Sequence, residues 1–149
     1  MKIEKHLVPS NRVGKVSYKG KNSKKFIVVH ETDNTNKGAD ADAHARLQYN
    51  GNSRKASWHY QVDDKRIIQS FEDDVQCSGA GDKYYNQNVI QIEICVNSDG
   101  DYKKAVENAA WLVNYLMKKY NIPLNRVIQH NNASGKNCPR NLRSGAKCI

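Results

Sequence analysis

The sequence lacks any apolar run long enough to cross a membrane, and hydrophobic residues make up only 38% of its 149 positions. The segment from Met1 to His6 lacks the long apolar stretch of a secretory signal. Internal repeats and low-complexity tracts are also absent. We therefore expect no membrane insertion and no repeat array. The chain is polar but globular, and it is long enough to bury the core of a single domain.

Cysteine is scarce, and its spacing lacks any CxxC pair. The four cysteines are Cys77, Cys95, Cys138 and Cys148. This pattern excludes a dense disulfide framework and favours a reducing compartment. Cys95 lies inside an apolar run and is predicted to be a small core residue, whereas Cys77 and Cys148 are predicted to be free thiols.

Acidic residues are outnumbered, because 24 lysines and arginines stand against 15 aspartates and glutamates, giving a net charge of +9. Such an excess favours a polyanionic partner, which would be nucleic acid, an anionic membrane or a cell wall bearing teichoic acids. A merely soluble surface is the simpler alternative. Neither a nucleic-acid-binding motif nor a pattern of aromatics between the basic residues is present, so a nucleic-acid-binding module rests on charge alone.

Strand and helix signals alternate along the chain after a basic segment, residues 1–25, that we predict to be irregular. Strands are predicted at Phe26–His30, Trp58–Asp63, Arg66–Phe71, Val89–Val96 and Leu124–Gln129, and helices at Ala39–Tyr49 and Tyr102–Tyr120. The second and third strands form a hairpin. The predicted fold class is therefore α/β: one domain with a central mixed β-sheet flanked by α-helices, and a site at the strand ends.

Three residues have the chemistry of a zinc site. His130 ends a short apolar run, and Cys138 follows eight residues later. Imidazole and thiolate are preferred zinc ligands, and a catalytic zinc site has three protein ligands and an open position. His30, at the end of the apolar run that begins at Phe26, is the best third candidate. A capping histidine and a buried thiol are the alternative explanation.

A carboxylate in the middle of a predicted strand requires an explanation. The strand Val89–Val96 alternates so that one face is wholly apolar, while the other displays Gln91 and Glu93. Either that face is exposed to solvent, or Glu93 is buried near a metal ion.

Taken together, these segments resemble the type 2 N-acetylmuramoyl-L-alanine amidases. The resemblance lies in Val29-His30-Glu-Thr, Ala56-Ser-Trp-His-Tyr60, Gln91-Ile-Glu93, and Gln129-His130 through Lys136-Asn-Cys-Pro139. The sequence is most similar to the catalytic domains of phage endolysins and of prophage-type amidases of Gram-positive bacteria. The match runs in order from about Phe26 to Arg143, so it is specific.

The resemblance implies a zinc hydrolase that cuts the amide between the lactyl group of N-acetylmuramic acid and L-alanine. It implies Zn²⁺ bound by His30, His130 and Cys138. It also implies that Glu93 acts on the attacking water and that Lys136 stands beside the scissile carbonyl. Trp58 departs from a tyrosine found in some relatives. The segment Gln76–Ala80 departs from the Trp-His pair found in many, which bears on one substrate contact and not on the metal.

The same resemblance sets expectations for partners and location. Peptidoglycan is the expected partner, without nucleic acid, and the chain is expected to be a monomer. Residues 1–149 are expected to form one amidase catalytic domain, which could be the N-terminal part of a longer endolysin. Because a secretory signal is lacking, we expect synthesis in the cytoplasm of a bacterial host and release to the wall by a holin-type or other non-Sec route.

Two other functions are compatible with these residues. The first is a non-catalytic peptidoglycan-binding protein of the same fold, related to animal peptidoglycan recognition proteins; such proteins usually lack the thiolate ligand, so Cys138 counts against it. The second is a thiol hydrolase that uses Cys95 or Cys138 with a histidine base and would survive chelation.

Overall fold

The computed structural model describes residues 1–51 and 56–144. Within these residues the strands are Ile3–Lys5 (β1), Ser17–Lys21 (β2), Phe26–Glu31 (β3), Tyr60–Val62 (β4), Ile67–Gln69 (β5), Val75–Cys77 (β6), Val89–Ile94 (β7) and Val127–Gln129 (β8). The α-helices are Ser10–Val16 (α1), Ala41–Tyr49 (α2), Lys83–Asn86 (α3), Tyr102–Tyr120 (α4), His130–Ser134 (α5) and Arg140–Arg143 (α6). A 3₁₀ turn covers Leu124–Arg126.

The main sheet has six strands in the order β1-β5-β4-β7-β3-β8. Strands β4, β7, β3 and β8 are parallel, β5 is antiparallel to β4, and β1 is parallel to β5. Strands β2 and β6 form a separate antiparallel pair. The predicted α/β class with a mixed sheet is therefore confirmed, and so is the hairpin between β4 and β5.

Helix α4 covers the apolar face of the sheet. Its length and position confirm the prediction, because apolar residues recur at helical spacing over all 19 residues. Asp101 caps its N-terminus by accepting a hydrogen bond from Lys104 N, and Asn121 ends it in the left-handed conformation. The buried residues of this layer include Ile27, Val29, Ile90, Ile92, Ile94, Ala105, Ala109, Leu112 and Leu116.

The opposite face of the sheet is polar where β7 meets β3. His30 is in register with Glu93, and Glu93 is in register with Gln61 of β4, so the three side chains lie on the face away from α4. Helix α2 covers the other part of this face by packing Ala41 and Ala45 against Ile68 and Cys95. The His30 end of the face is left for the functional site.

The prediction of an irregular segment at residues 1–25 is wrong. Strand β1 and helix α1 are too short for a clear periodic signal. They are stabilised by contacts with residues that are distant in sequence. Ile3 pairs with Ile67 at the sheet edge, while Val8 and Val16 pack against Phe71. Tertiary packing thus overrides weak local propensity here.

The predicted strand Leu124–Gln129 is also corrected. Only Val127–Gln129 is extended, because the residues after Pro123 form the 3₁₀ turn. The single-turn helix α3 was not predicted.

Two cysteine predictions are confirmed, since Cys77 is a free thiol and Cys95 is a small core residue. Cys77, Cys95 and Cys138 are buried free thiols, and Cys148 lies outside the described residues. In the part of the chain that the structure describes, none of the helices has the length and apolar character needed to cross a bilayer.

Candidate metal centre

Two histidines meet where β3 and β8 end. His30 is the fifth residue of β3, and His130 directly follows β8. Because these parallel strands are adjacent, the two imidazoles converge at the same edge of the sheet. Their Nδ1 atoms lie 2.9 Å apart, and the ring planes are inclined at 77°.

Gln91 determines which nitrogen of His30 faces this centre. The Gln91 Nε2 group donates to the carbonyl oxygen of Cys77 at 2.9 Å, which leaves Oε1 facing His30 Nε2 at 3.0 Å. An amide oxygen is only an acceptor, so His30 carries its proton on Nε2. The Nδ1 lone pair of His30 is therefore free to bind a metal.

The loop after β6 lies against the ring of His130. A Cβ added to Gly81 would lie 3.2 Å from His130 Nε2, and the Ala80 backbone raises the pKa of His130 against the effect of burial. The Nε2 atom therefore faces the loop, and Nδ1 faces His30. Gly81 also has φ +76°, a conformation that disfavours any side chain.

Cys138 completes the cluster. Its Sγ atom lies 4.0 Å from His30 Nδ1 and accepts a hydrogen bond from the backbone N–H of Glu31 at 3.3 Å. The Sγ atom and a ring nitrogen from each of His30 and His130 lie within 4.8 Å of one another. The structure thus brings together all three residues that the sequence predicted as metal ligands.

The Glu31 side chain anchors the segment that carries Cys138. Its carboxylate accepts hydrogen bonds from the backbone N–H groups of Asn141, at 2.8 Å, and Leu142, at 3.3 Å. It also accepts one from the Tyr102 hydroxyl of α4 at 2.5 Å. Glu31 therefore joins the end of β3 to the start of α6, immediately after the thiol.

The donor set fits a soft divalent cation such as zinc. With His30 Nε2 engaged by Gln91, the Nδ1 lone pair of His30 faces His130 Nδ1 at 2.9 Å, a distance that requires a proton or a cation between the two nitrogens. Burial lowers the pKa of His30 to about 3 and that of His130 to about 4, so both imidazoles are neutral at pH 7. Neutral imidazole is the form that binds a metal.

The Cys138 thiol also needs a cation beside it before it can ionise at pH 7. Burial raises the pKa of Cys138 to about 12, although the hydrogen bond from Glu31 lowers it. A thiol in this position is protonated at pH 7 unless a cation lies beside it. Two neutral imidazoles and one such thiol, each oriented by the surrounding chain, suit a metal that converts the thiol to its thiolate.

Glu93 lies next to the cluster on the neighbouring strand, in register with His30. Its Oε1 atom is buried and makes no hydrogen bond within the described part of the chain. Burial raises the pKa of Glu93 to about 8, the Lys136 ammonium opposes this shift, and the Glu31 carboxylate adds to it. A buried carboxylate oxygen without a hydrogen-bond partner is destabilising, so Oε1 calls for a functional explanation.

Lys136 lies on the exposed loop between His130 and Cys138. Burial is the main cause of the lowered pKa of His130, and the positive charge of Lys136 lowers it further. The same charge lowers the pKa of Glu93. The ammonium group therefore acts electrostatically on the cluster, and the residue is exposed to solvent.

Sequence reasoning missed the residues that hold the ligands in place. Gln91, Glu31 and the 79–81 loop contact ligands without binding a metal themselves. The strand alternation did place Gln91 on the same face as Glu93, which was the one available signal. Trp58, to which the sequence assigned no chemical role, is buried and donates to Gln61 Oε1 at 2.8 Å. In the segment 76–80, Cys77 supplies the carbonyl oxygen that orients Gln91.

Comparison with known proteins gives consistent matches. The sequence model of the family described as N-acetylmuramoyl-L-alanine amidase matches residues 20–141. The chain is 51% identical over 120 residues to the N-acetylmuramoyl-L-alanine amidase CwlH of Bacillus subtilis, covering 78% of this chain and 48% of that protein. It is 46% identical over 119 residues to the amidase XlyA of the same organism, covering 78% of this chain and 40% of XlyA.

Solved structures agree with these sequence matches. The catalytic domain of XlyA superposes with a TM-score of 0.90 at 40% identity, covering 97% of this chain and 94% of that domain. The structure of PlyL superposes with a TM-score of 0.87 at 35% identity, covering 97% of this chain and 91% of PlyL. The chain spans about half the length of the curated relatives it matches.

Proposed function

The chain belongs to the N-acetylmuramoyl-L-alanine amidase family, and from that premise we propose that it is a zinc-dependent peptidoglycan hydrolase. It cleaves the amide bond between N-acetylmuramic acid and the L-alanine of the stem peptide. The observation that carries this proposal is the convergence of two imidazole rings and one thiol, beside a carboxylate whose Oε1 atom is buried without a hydrogen-bond partner.

His30, His130 and Cys138 would hold the zinc. When bound, zinc supplies Lewis-acid activation of water and of a carbonyl oxygen. The chain itself fixes the orientation of each ligand: Gln91 holds the His30 ring, and the backbone of Glu31 holds the thiol. This positioning keeps the ligands preorganised, which reduces the entropy lost when a metal binds.

Glu93 is proposed as the general base and acid. Its carboxylate shares the sheet face of His30, so it accepts a proton from the attacking water and returns it to the departing amine. A rigid strand holds this side chain, and its Oε1 atom has no hydrogen bond that would have to break first.

Lys136 is proposed to stabilise the negative charge that develops on the carbonyl oxygen in the transition state. Its exposed ammonium group is suited to this role, because its charge already acts on Glu93 and His130.

A thiol hydrolase is less well supported. A nucleophilic cysteine needs a lowered pKa, whereas burial raises the pKa of both Cys138 and Cys95. Cys95 also packs with Ala41 and Ala45 under helix α2, away from the two histidines. A non-catalytic wall-binding protein would have no use for an unpaired buried carboxylate beside the ligands.

Peptidoglycan is the proposed partner, and the proposed form is a monomer that acts on the cell wall after release from the cytoplasm of a bacterial host. The release is proposed to follow a holin-type or other non-Sec route. We also propose that residues 1–149 act as one catalytic domain, which in a longer endolysin would be the N-terminal part.

The test combines two measurements on the same preparation. Metal content by mass spectrometry should give about one zinc per chain, the number that one such cluster holds. Purified cell walls should release free L-alanine amino groups, and chelation followed by zinc addition should abolish and restore this release. Zinc-free protein that still releases these groups would point to a thiol hydrolase, and zinc-loaded protein without release would point to a binding protein.

A further inference from the structure

A cavity of about 530 Å³ lies on the side of the sheet that faces α4. The cavity residues used below are Lys5, Lys24, Asp73, Tyr115, Lys119 and Tyr120. Its volume lies within the range of about 300 to 1,000 Å³ that is usual for small-molecule sites. None of these residues has a role in the proposed hydrolysis.

The cavity is remote from the metal centre. Tyr60, which also lines it, packs among the α4-facing core residues, whereas His30 projects from the other face of the sheet. The length of helix α4 measures the distance between the metal centre and the cavity. Its first residue, Tyr102, contacts Glu31 beside the metal ligands, and Tyr115 and Tyr120 lie about 20 to 27 Å further along the helix.

The polar floor of this cavity is rigid. The Asp73 carboxylate is only 6% exposed and accepts hydrogen bonds from the hydroxyls of Tyr60, at 2.6 Å, and of Tyr120. Lys24 and Lys119 lie 5.4 and 5.3 Å from the centre of the Tyr120 ring. The ring is thus held by its hydroxyl at one end and by two cations over its face.

Aromatic surface continues outward from this floor. Trp111 and Tyr115 stack one helical turn apart, with ring centres 5.6 Å apart and planes inclined by 6°. They are 38% and 39% exposed, so part of each ring is accessible to a ligand. Exposed aromatic faces beside fixed hydrogen-bonding groups are the chemistry with which proteins hold sugar rings.

The charges around the cavity indicate a neutral ligand. Lys5 pairs with Glu72 at 3.4 Å, and Lys119 pairs with Asp73 at 3.9 Å. The lining also contains Lys24 and Asp74, so three lysines are balanced by three carboxylates and the cavity offers little net attraction to a polyanion. The polar lining is equally unsuited to an apolar ligand. A sugar ring that bears hydroxyl and amide groups is both uncharged and polar, so it suits this cavity.

We propose that this cavity and the Trp111–Tyr115 stack form a second carbohydrate site, which binds a β-1,4-linked N-acetylhexosamine chain. The inference rests on the proposed function in that the glycan strand of peptidoglycan supplies such rings. The site would hold the domain on the polymer while the metal centre, on the other face, acts on a stem peptide.

The test uses the zinc-loaded protein and an N-acetylglucosamine tetramer, which has no stem peptide and is not a substrate. Trp111 is exposed and Trp58 is buried, so the Trp111 indole N–H signal in NMR reports the proposed site directly. Titration should shift this signal. Tyr115→Ala should weaken binding about tenfold, which corresponds to about 1.4 kcal/mol, and Tyr115→Phe should retain binding because it retains the ring.

Tyr84→Ala is the matched control, since Tyr84 is another exposed aromatic residue, 54% exposed, on α3. Its sugar affinity should equal that of the wild type. The proposal is overturned if the tetramer leaves the Trp111 signal unmoved, if Tyr115→Ala binds it normally, or if a free stem tetrapeptide shifts that signal instead. Zinc content and wall hydrolysis, measured on the same protein, show separately whether the proposed function holds.

Discussion

Gln91 Oε1 lies 3.0 Å from His30 Nε2, while the amide nitrogen of the same side chain donates to the carbonyl oxygen of Cys77. The position of the β6 loop therefore determines the tautomer of His30, a proposed metal ligand. A buried histidine held in this way presents Nδ1 as a lone pair before any metal arrives.

Replacing Gln91 with alanine should weaken zinc binding about 10- to 100-fold, the usual cost of removing such a supporting residue. The His30 Nε2–H would lose its acceptor, and the ring would be free to rotate or to change tautomer. Competition with a chromophoric chelator measures the affinity. Gln61→Ala is the control, because Gln61 is an equally buried glutamine on the same face that bonds Ile68 and Ser70. Equal loss of zinc affinity in both variants would assign the effect to general destabilisation.

Replacing Gly79 with alanine should lower Tm. The added Cβ would lie 2.5 Å from Gln91 Oε1 and 2.6 Å from the Ser57 carbonyl oxygen, so the backbone or the glutamine must move. Overpacking of this kind costs about 1 to 3 kcal/mol, which lowers Tm by roughly 2 to 10 °C in a domain of this size. Gly14→Ala is the control, since nothing lies within 4 Å of its added Cβ. A Gly79→Ala protein as stable as the Gly14→Ala protein would contradict this packing argument.

Replacing Cys138 with serine should abolish stoichiometric zinc and wall hydrolysis. Serine keeps the size and the hydrogen bond from Glu31, but a neutral hydroxyl is a poor zinc ligand compared with a thiolate. Metal analysis after dialysis measures the loss. Cys95→Ala, which removes a buried thiol of the α2 layer, should keep its zinc. Retention of zinc at wild-type affinity by Cys138→Ser would remove Cys138 from the ligand set.

Periodicity predicted the large elements and the site residues that lie on them. Helix α4 and strands β3 and β7 have long apolar patterns, so their positions followed from sequence, and the site was expected at the strand ends. Family resemblance, rather than periodicity, predicted the roles of Glu93 and Lys136.

The supporting contacts could not be predicted, because they join residues far apart in sequence. Gln91 contacts a carbonyl oxygen at Cys77, and Glu31 contacts backbone N–H groups at Asn141 and Leu142. Backbone carbonyl and N–H groups carry no residue-type signal, so no motif marks them. Strand β1 escaped prediction for a similar reason, since three residues are too few to show alternation.

The net charge predicts a salt dependence of wall binding. With +9 over the whole chain, attraction to an anionic wall should contribute strongly to association. Raising salt from about 0.05 to about 0.5 M shortens the screening length from about 14 to about 4 Å. Binding to whole walls should therefore weaken markedly, while hydrolysis of a soluble muropeptide should change little. Equal salt sensitivity in the two assays would argue against this division between binding and catalysis.

The stability of the metal-free protein should reveal the unusual state of Glu93. Its pKa is raised from 4.5 to about 8 by burial, so the folded protein resists ionisation of this carboxyl. The unfolded chain loses its proton at lower pH than the folded one, and the stability that this group contributes is present below about pH 4.5 and lost as pH rises through 8. Glu93→Gln removes this pH-dependent loss, so the metal-free variant should be at least as stable as the wild type at pH 8.

Glu93→Gln should impair catalysis, although it does not lower the stability of the metal-free protein at pH 8. Glutamine is nearly isosteric with glutamate and lies outside the ligand set, so Glu93→Gln should keep the fold and the zinc. It cannot accept a proton, however, and the rate should fall by about 10² to 10⁴, the usual share of acid–base catalysis. The loss should appear in kcat more than in KM, because proton transfer belongs to the transition state. Glu107→Gln, on the exposed side of α4, controls for the loss of one negative charge. A folded, zinc-loaded Glu93→Gln protein with near-normal kcat would remove Glu93 from the mechanism and leave its buried carboxylate without a catalytic explanation.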